Sequence, residues 1–319
     1  MAGKYVEFFG FRVSDRSNES LDHASRSQCP FIQETCTKRI DAGRPEKSIA
    51  GSCSLRMKSK GSPAVICCPH RFYGDDYKFI DDLSFRVYGK RFKKYSGRVA
   101  VDKVRVSGEP ALAIFGHRWG GELRLPQKDG VQSYFVDWIV AKISPSESGP
   151  FLEDFFAIEV QTIDTTGNYK PSLLALLNGR KEEWSTVGMN WENVNKRILP
   201  QLIYKGSILS RESKCGAGLF LVTPEPVYDR IMKRLGGEDN LESVPRLSSS
   251  SVTCIAYDYD KDSPEISGFP SPLRVTKDLT TSVFELRDTF NRASLPEQNV
   301  YSKAIESALD LDSRSYILE

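Results

Sequence analysis

Two apolar runs, SYFVDWIVAKI at residues 133–143 and FFAIEVQTID at 155–164, constrain this chain more than any other feature. Both are rich in aromatic and β-branched residues, and between them lies SPSESGP, a link of Pro, Ser and Gly. Runs of this kind predict two strands, and the turn-forming link predicts that they pair antiparallel. Polar residues break each run: Asp137 in the first, Glu159 and Gln161 in the second. Side chains alternate along a strand, so Glu159 and Gln161 project to one face while Ile158 and Val160 project to the other. Pairing of the strands brings Asp137 and Glu159 to one end of a sheet, where they offer hard oxygen ligands to a divalent cation. Glu122, in GGELRL, offers a third carboxylate upstream. Two buried carboxylates repel each other, so either a cation binds or their pKa values rise. The plainer alternative is that each acid caps a turn or forms a salt bridge.

The order Asp, 21 intervening residues, then Glu-Val-Gln has the layout of the PD-(D/E)XK nucleases, with Gln161 where Lys usually stands. Gln161 donates and accepts hydrogen bonds but carries no charge, so it can orient a water without stabilising it as a cation would. Lys142 or Lys170 is expected to supply the missing positive charge. The rest of the chain alternates strands and helices. KPSLLALLNG reads as a short helix, with Pro171 in its first turn and Gly179 near its end. WENVNKRILPQLIYKGSILS (191–210) reads as a longer helix that Pro200 kinks or starts. GLFLVTP and VTCIAYDYD are expected strands, PVYDRIMKRLGG a helix, and TKDLTTSVFELRDTFNRAS (276–294) a C-terminal helix. The expected fold class is α/β, a central mixed sheet flanked by helices.

Seven cysteines are unevenly spread. Cys29, Cys36, Cys53, Cys67 and Cys68 fall within forty residues, and Cys215 and Cys254 lie far downstream. In a reducing compartment grouped thiols point to a metal, and four thiolates complete a tetrahedral shell. Pro follows Cys29 and Cys68, and GSCS gives Cys53 a turn-prone approach. Adjacent Cys67 and Cys68 point differently, so one of them binds, and the Pro context favours Cys68. Iron and zinc suit four thiolates equally. Cys215 and Cys254, beside apolar runs, read as buried free thiols, and His23, His70 and His117 are spare ligand candidates. The expected organisation is a loop-rich, four-cysteine metal-binding extension over 1–73 and a larger core over 74–319, with the ligands supplying cohesion that a small apolar core lacks.

Net charge is only +2, so the whole-protein field announces no polyanion partner. Locally, Arg86 to Arg105 holds eight Lys or Arg against one Asp, interleaved with Tyr88, Phe92 and Tyr95. Such a segment is either a phosphate-contacting surface or a solvated basic face. Lys170, Lys196, Arg197 and Lys205 are further candidates for phosphate contact. No apolar run approaches the ~20 residues of a membrane span, and the N-terminus lacks the pattern of a secretory signal, so a cytoplasmic location is expected.

Taken together, EFFGFRV, the contexts of the four spaced cysteines, GGEL, VDWIVAKI, IEVQTIDTTGNYK, NVNKRILPQLIYK and KCGAGLFLVTP resemble the NotI family of type II restriction endonucleases over most of the chain. The resemblance implies a PD-(D/E)XK core and an N-terminal extension with a structural iron held by Cys29, Cys36, Cys53 and Cys68. It also implies a homodimer that cuts palindromic, GC-rich duplex DNA with Mg2+, accompanied by a DNA methyltransferase that protects the same site. Glu122, Asp137, Glu159 and Gln161 match the family's active-site positions, and Gln in place of Lys is what this family shows. The second thiol of ICCPH departs from it. A DNA-binding protein that has lost cleavage, or a repair or toxin nuclease without sequence specificity, are the alternatives.

Overall fold

The structure, a computed structural model, describes residues 2–40, 48–123, 135–168, 170–292 and 297–309. The N-terminal part opens with β1 (Gly3–Phe8) and β2 (Phe11–Arg12), followed by α1 (Asn18–Ser25), which Ser17 caps by accepting a hydrogen bond from the Ser20 N–H. Two short ribbons follow, β3 (Gln28–Cys29) with β4 (Glu34–Thr35) and β5 (Arg39–Ile40) with β6 (Ser48–Ile49). Then β7 (Ser52–Met57) and β8 (Ala64–Ile66) complete an antiparallel sheet in the order β2-β1-β7-β8. Tyr5, Phe8, Phe9, Phe11, Phe31, Leu55 and Ile66 are buried around it. Each large apolar side chain fully withdrawn from water contributes about 1.5–3 kcal/mol, so apolar burial holds this segment. Its core residues also run without a break into those of the rest of the chain.

The larger part begins with α2 (Gly74–Tyr88), β9 (Lys94–Ser96), α3 (Gly97–Ser107) and β10 (Ala111–Gly116), none of which the sequence analysis anticipates. The two aromatic and β-branched runs are β11 (Trp138–Ser144) and β12 (Phe151–Val160), and they pair antiparallel with Trp138 opposite Ile158. After β12 come β13 (Thr165–Gly167), α4 (Lys170–Leu177) and β14 (Val187–Met189), then a wide π-type turn over Val194–Ile198 that leads into α5 (Leu199–Leu209). Pro200 therefore sits in the first turn of α5, where its missing N–H leaves no helical bond unmade. The chain continues through β15 (Cys215–Pro224), α6 (Glu225–Arg234), β16 (Ser251–Tyr259), β17 (Leu273–Ser282), α7 (Val283–Arg292) and α8 (Val300–Leu309).

Seven strands form one mixed sheet in the order β17-β16-β15-β12-β11-β10-β9. The β12–β15, β15–β16 and β9–β10 pairs are parallel and the others antiparallel. Helices α3, α5 and α6 pack on it, and α7 packs on α5. The stretch 276–294 expected as one helix is a strand as far as Ser282. Its Thr-rich half pairs with β16, and the helix starts only where the Ser282 hydroxyl accepts the Glu285 N–H at 3.1 Å. Residues 133, 134 and 169 and residues 293–294 of these sequence readings lie outside the described residues. Among the described residues no helix is long and apolar enough to cross a membrane.

Candidate active site

Asp137 stands just before β11 and Glu159 one residue before the end of β12, so the antiparallel register brings both to the same end of the sheet. The two strand ends exchange hydrogen bonds through these acids. Val160 N–H donates to Asp137 Oδ2 at 2.8 Å, and Asp137 N–H reaches toward Glu159 Oε1 at 3.4 Å. Gln161, just beyond β12, is pinned to the neighbouring parallel strand: its N–H donates to the Val222 carbonyl at 2.9 Å and its carbonyl accepts the Thr223 hydroxyl at 2.8 Å. Its side-chain amide donates to Glu159 Oε2 at 3.2 Å. On the other side of β11, Gly116 pairs with Trp138, and a Cβ there would lie 2.3 Å from the Trp138 ring. Only glycine allows that buried indole to lie against β10 beside Asp137.

Glu159 is 2% exposed, and its Oε1 accepts a charge-assisted hydrogen bond from Lys205 Nζ at 2.5 Å. Lys205 itself is 6% exposed. Lys205, a sequence candidate for phosphate contact, thus turns inward to Glu159. On α5, Leu202, Lys205 and Leu209 follow one another at helical spacing, and all three are buried, so the lysine occupies a core position. It is the feature of the site that sequence reasoning missed, and its signal was a cation in the apolar stripe of an amphipathic helix. Lys142 and Lys170, the expected sources of positive charge, are elsewhere. Lys142 faces Asp154 across the hairpin, well along β11 from Asp137, and is paired to Glu153; Lys170 is exposed at the start of α4.

Burial first, and then the Asp137 charge, push Glu159 up to about 7 against the pull of Lys205 and the hydrogen bond from Gln161. Burial also raises Asp137; the Val160 N–H and Lys205 oppose the shift and the Glu122 charge adds to it. Glu122 is exposed on the loop after β10, near enough to act on Asp137 through its charge.

A cleft of about 690 Å³ opens above this strand end, lined by Asp137 and Gln161 on one side and by Lys38, Arg39, Cys67, Cys68 and His70 on the other. The thiol-bearing loop is thus a wall of the same cleft, although it is remote from the carboxylates in sequence. Arg197 also lines it, ion-paired to Asp164 at 2.8 Å, whereas Lys196 is exposed and paired to Glu192. The basic segment Arg86 to Arg105 does not line it. Arg86, Lys94 and Arg105 are paired to acids, while Lys90, Arg91, Lys93 and Lys103 surround a separate groove at the Ala111 end of β10, opposite the end where Gly116 meets Trp138.

All seven cysteines are buried and none forms a disulfide. The charges of Cys29, Cys36 and Cys68 each act on Cys53, and burial pushes the Cys68 thiol up to about 12. Cys67 turns its thiol toward the Ser52 and Cys53 carbonyls at 3.7 and 3.6 Å. Yet among the described residues no three or more His, Cys, Asp or Glu side chains are grouped closely enough to hold a metal ion. The expectation of an iron or zinc site is therefore unsupported by the grouping of the thiols.

Chemically, Asp137 and Gln161 on the cleft wall, with Glu159 and Lys205 buried directly behind them, can hold a hard cation and orient a water beside a phosphate. Among curated proteins no match to the chain is found. The family model described as restriction endonuclease NotI matches residues 12–267, which include Asp137, Glu159, Gln161, Lys205 and all seven cysteines. The chain belongs to the NotI restriction endonuclease family and is a type II site-specific deoxyribonuclease.

Proposed function

We propose that Asp137 and Glu159 are the catalytic carboxylates of a PD-(D/E)XK core, and that the enzyme cuts both strands of a palindromic, GC-rich DNA site with Mg2+, leaving 5′-phosphate and 3′-hydroxyl ends. The observation that carries this reading is the exchange of hydrogen bonds between the two acids' strand ends at the mouth of the cleft. The donor set suits Mg2+, since both groups offer hard oxygens and their mutual repulsion is what a divalent cation relieves. When bound there, Mg2+ would lower the pKa of a water and neutralise charge developing on the phosphate.

The chain's own residues do the rest. Asp137 and Glu159 fix the cation at the strand ends, and Gln161 orients the attacking water or a phosphate oxygen through its amide. Glu122 brings a third carboxylate toward the mouth. Arg197, with Lys170 and Lys196 further out, contacts the DNA backbone and so sets its position without reading its sequence. A homodimer would place one site on each strand of a palindrome, and a methyltransferase of the same specificity would protect the host.

The metal part of the proposal extends to residues 1–73, where Cys29, Cys36, Cys53 and Cys68 would hold a structural iron or zinc in the extension to the 74–319 nuclease core. Their burial and lack of disulfides are compatible with it, the grouping of the thiols is not evidence for it, and the position of Cys67 against backbone carbonyls favours Cys68 as the fourth ligand. Elemental analysis tests it: a folded, metal-free protein would end the tetrathiolate reading. For the nuclease reading, a large sequenced GC-rich DNA is digested with Mg2+ by the native enzyme and by Glu159→Ala. Discrete fragments that vanish with the variant are expected, and their ends map the site. Fragments that persist with Glu159→Ala would refute the assignment of the carboxylates.

A further inference from the structure

We propose that Lys205 is the positioning cation of the carboxylate pair, delivered to Glu159 from helix α5 where the strand offers Gln161 in place of a lysine. This rests on the nuclease reading above and adds a residue to it. The observation is the buried ion pair: Lys205 Nζ lies 2.5 Å from Glu159 Oε1, while Gln161 holds Glu159 Oε2 from the other side. Glu159 is therefore clamped through both oxygens, one by a charge and one by a neutral amide.

The placement is costly, which argues that it serves the site. A lysine in the apolar stripe of a helix loses its hydration and is tolerated only when paired. Its helix is held firmly against its neighbours. Leu199, Leu202 and Leu209 are buried beside it, and at the adjacent Gly206 a Cβ would meet Val283 of α7 at 2.9 Å. That close approach leaves α5 little room to rotate, so the ammonium stays on the carboxylate. Other cations near the cleft are committed differently. Arg197 pairs with Asp164, and Lys38 donates to the Cys67 carbonyl at 2.6 Å. Lys205 is the cation whose influence reaches both Asp137 and Glu159.

A site with two carboxylates and a single ammonium keeps enough negative charge to bind a divalent cation. It also prevents the two acids from swinging apart under their own repulsion. The ammonium acts through Glu159, so its loss should slow the chemical step while leaving DNA binding as it is.

The test uses single-turnover cleavage and DNA binding by the full-length enzyme, with thermal melting of each variant as a control. Lys205→Met is expected to lower the cleavage rate by about 10²–10³-fold, the size of effect seen on removing one oriented hydrogen-bond donor from an active site, with unchanged DNA affinity. Lys205→Arg should recover part of the loss. The decisive variant is Lys205→Met combined with Gln161→Lys, which returns an ammonium to Glu159 from the strand and should restore at least tenfold of the rate. An active native enzyme with full-rate Lys205→Met overturns this inference and leaves the nuclease reading intact. Cleavage lost in step with melting temperature, and not recovered by Gln161→Lys, makes the pair purely structural and also overturns it. A native enzyme that binds DNA and never cuts would overturn the nuclease reading first.

Discussion

Replacing Arg71 with Met tests whether the N-terminal sheet is fastened to the rest of the molecule by a buried charge. Arg71 Nε lies 3.1 Å from both oxygens of Glu7, and neither residue meets solvent appreciably. The Ser54 hydroxyl also donates to Glu7 at 3.2 Å and accepts in turn from the Tyr259 hydroxyl at 2.6 Å, while Arg71 reaches the Ser271 carbonyl ahead of β17. At an effective dielectric of ~20, a pair at this distance attracts by roughly 5 kcal/mol, and breaking a buried pair from one side costs about 3–5 kcal/mol. The stranded carboxyl has one escape, which is to take up a proton. For an ordinary glutamate that costs about 3.7 kcal/mol at pH 7 but only about 1 kcal/mol at pH 5. Arg71→Met should therefore destabilise the protein by about 3–4 kcal/mol at pH 7 and by about 1 kcal/mol at pH 5. The sign follows from linkage: above the ordinary glutamate range the folded variant holds a proton that its unfolded chain has released, so its stability falls as pH rises from 5 to 7. Glu7→Gln strands a guanidinium that cannot give up its proton, so its penalty should be the same at both pH values. Urea unfolding followed by fluorescence at pH 5 and pH 7 measures both. A loss below 1 kcal/mol for Arg71→Met at pH 7, or an equal loss at the two pH values, would refute the reasoning.

Three further outcomes are expected. Gly116→Ala sets a methyl against the Trp138 ring and should cost about 1–3 kcal/mol by overpacking; because Trp138 adjoins Asp137, cleavage should fall more than stability does, as melting and fragment yield together would reveal. Lys142→Met should leave the cleavage rate within about twofold, because that lysine is engaged with Glu153 away from the acids and surface pairs contribute little; a hundredfold loss would restore it as the missing cation. Cys68→Ser should deplete any iron or zinc that elemental analysis finds, and Cys67→Ser should not.

Much of the fold and part of the site are legible in the sequence. The hairpin β11–β12 was legible because its two runs are long and flank turn-forming residues, and its register then follows from pairing. That alone brings Asp137 and Glu159 together. The Thr-rich stretch before Ser282 was not legible, since its apolar residues fit a helix about as well as an edge strand, and only pairing with β16 decides between them. Helices α2 and α3 were obscured by their many cations, which drew attention to charge rather than to the buried positions Phe79, Ile80, Leu83, Ala100 and Val104. Lys205 was misjudged for the same reason. Charge alone suggests exposure, although its spacing from Leu202 and Leu209 places it inside.

The cleft joins two parts of the chain that the sequence separates. One wall is the strand end that carries Asp137 and Gln161; the other is the loop over Cys67, Cys68 and His70, and Arg71 follows directly on that loop. Burial and the neighbouring His117 ring push His70 down to about 4, so above that pH it faces the cleft as a neutral ring rather than as a cation. The loop's position then depends on packing and on the Glu7–Arg71 pair, not on attraction to the acids opposite. It follows that weakening the pair should widen the cleft before the molecule unfolds. Arg71→Met should lose cleavage at pH 7 under conditions where far-ultraviolet circular dichroism still reports a folded chain, and lowering the pH toward 5 should return the loop's protection from proteolysis to the native level. If the variant keeps both native cleavage and native protection at pH 7, the N-terminal wall is held by something other than this buried charge.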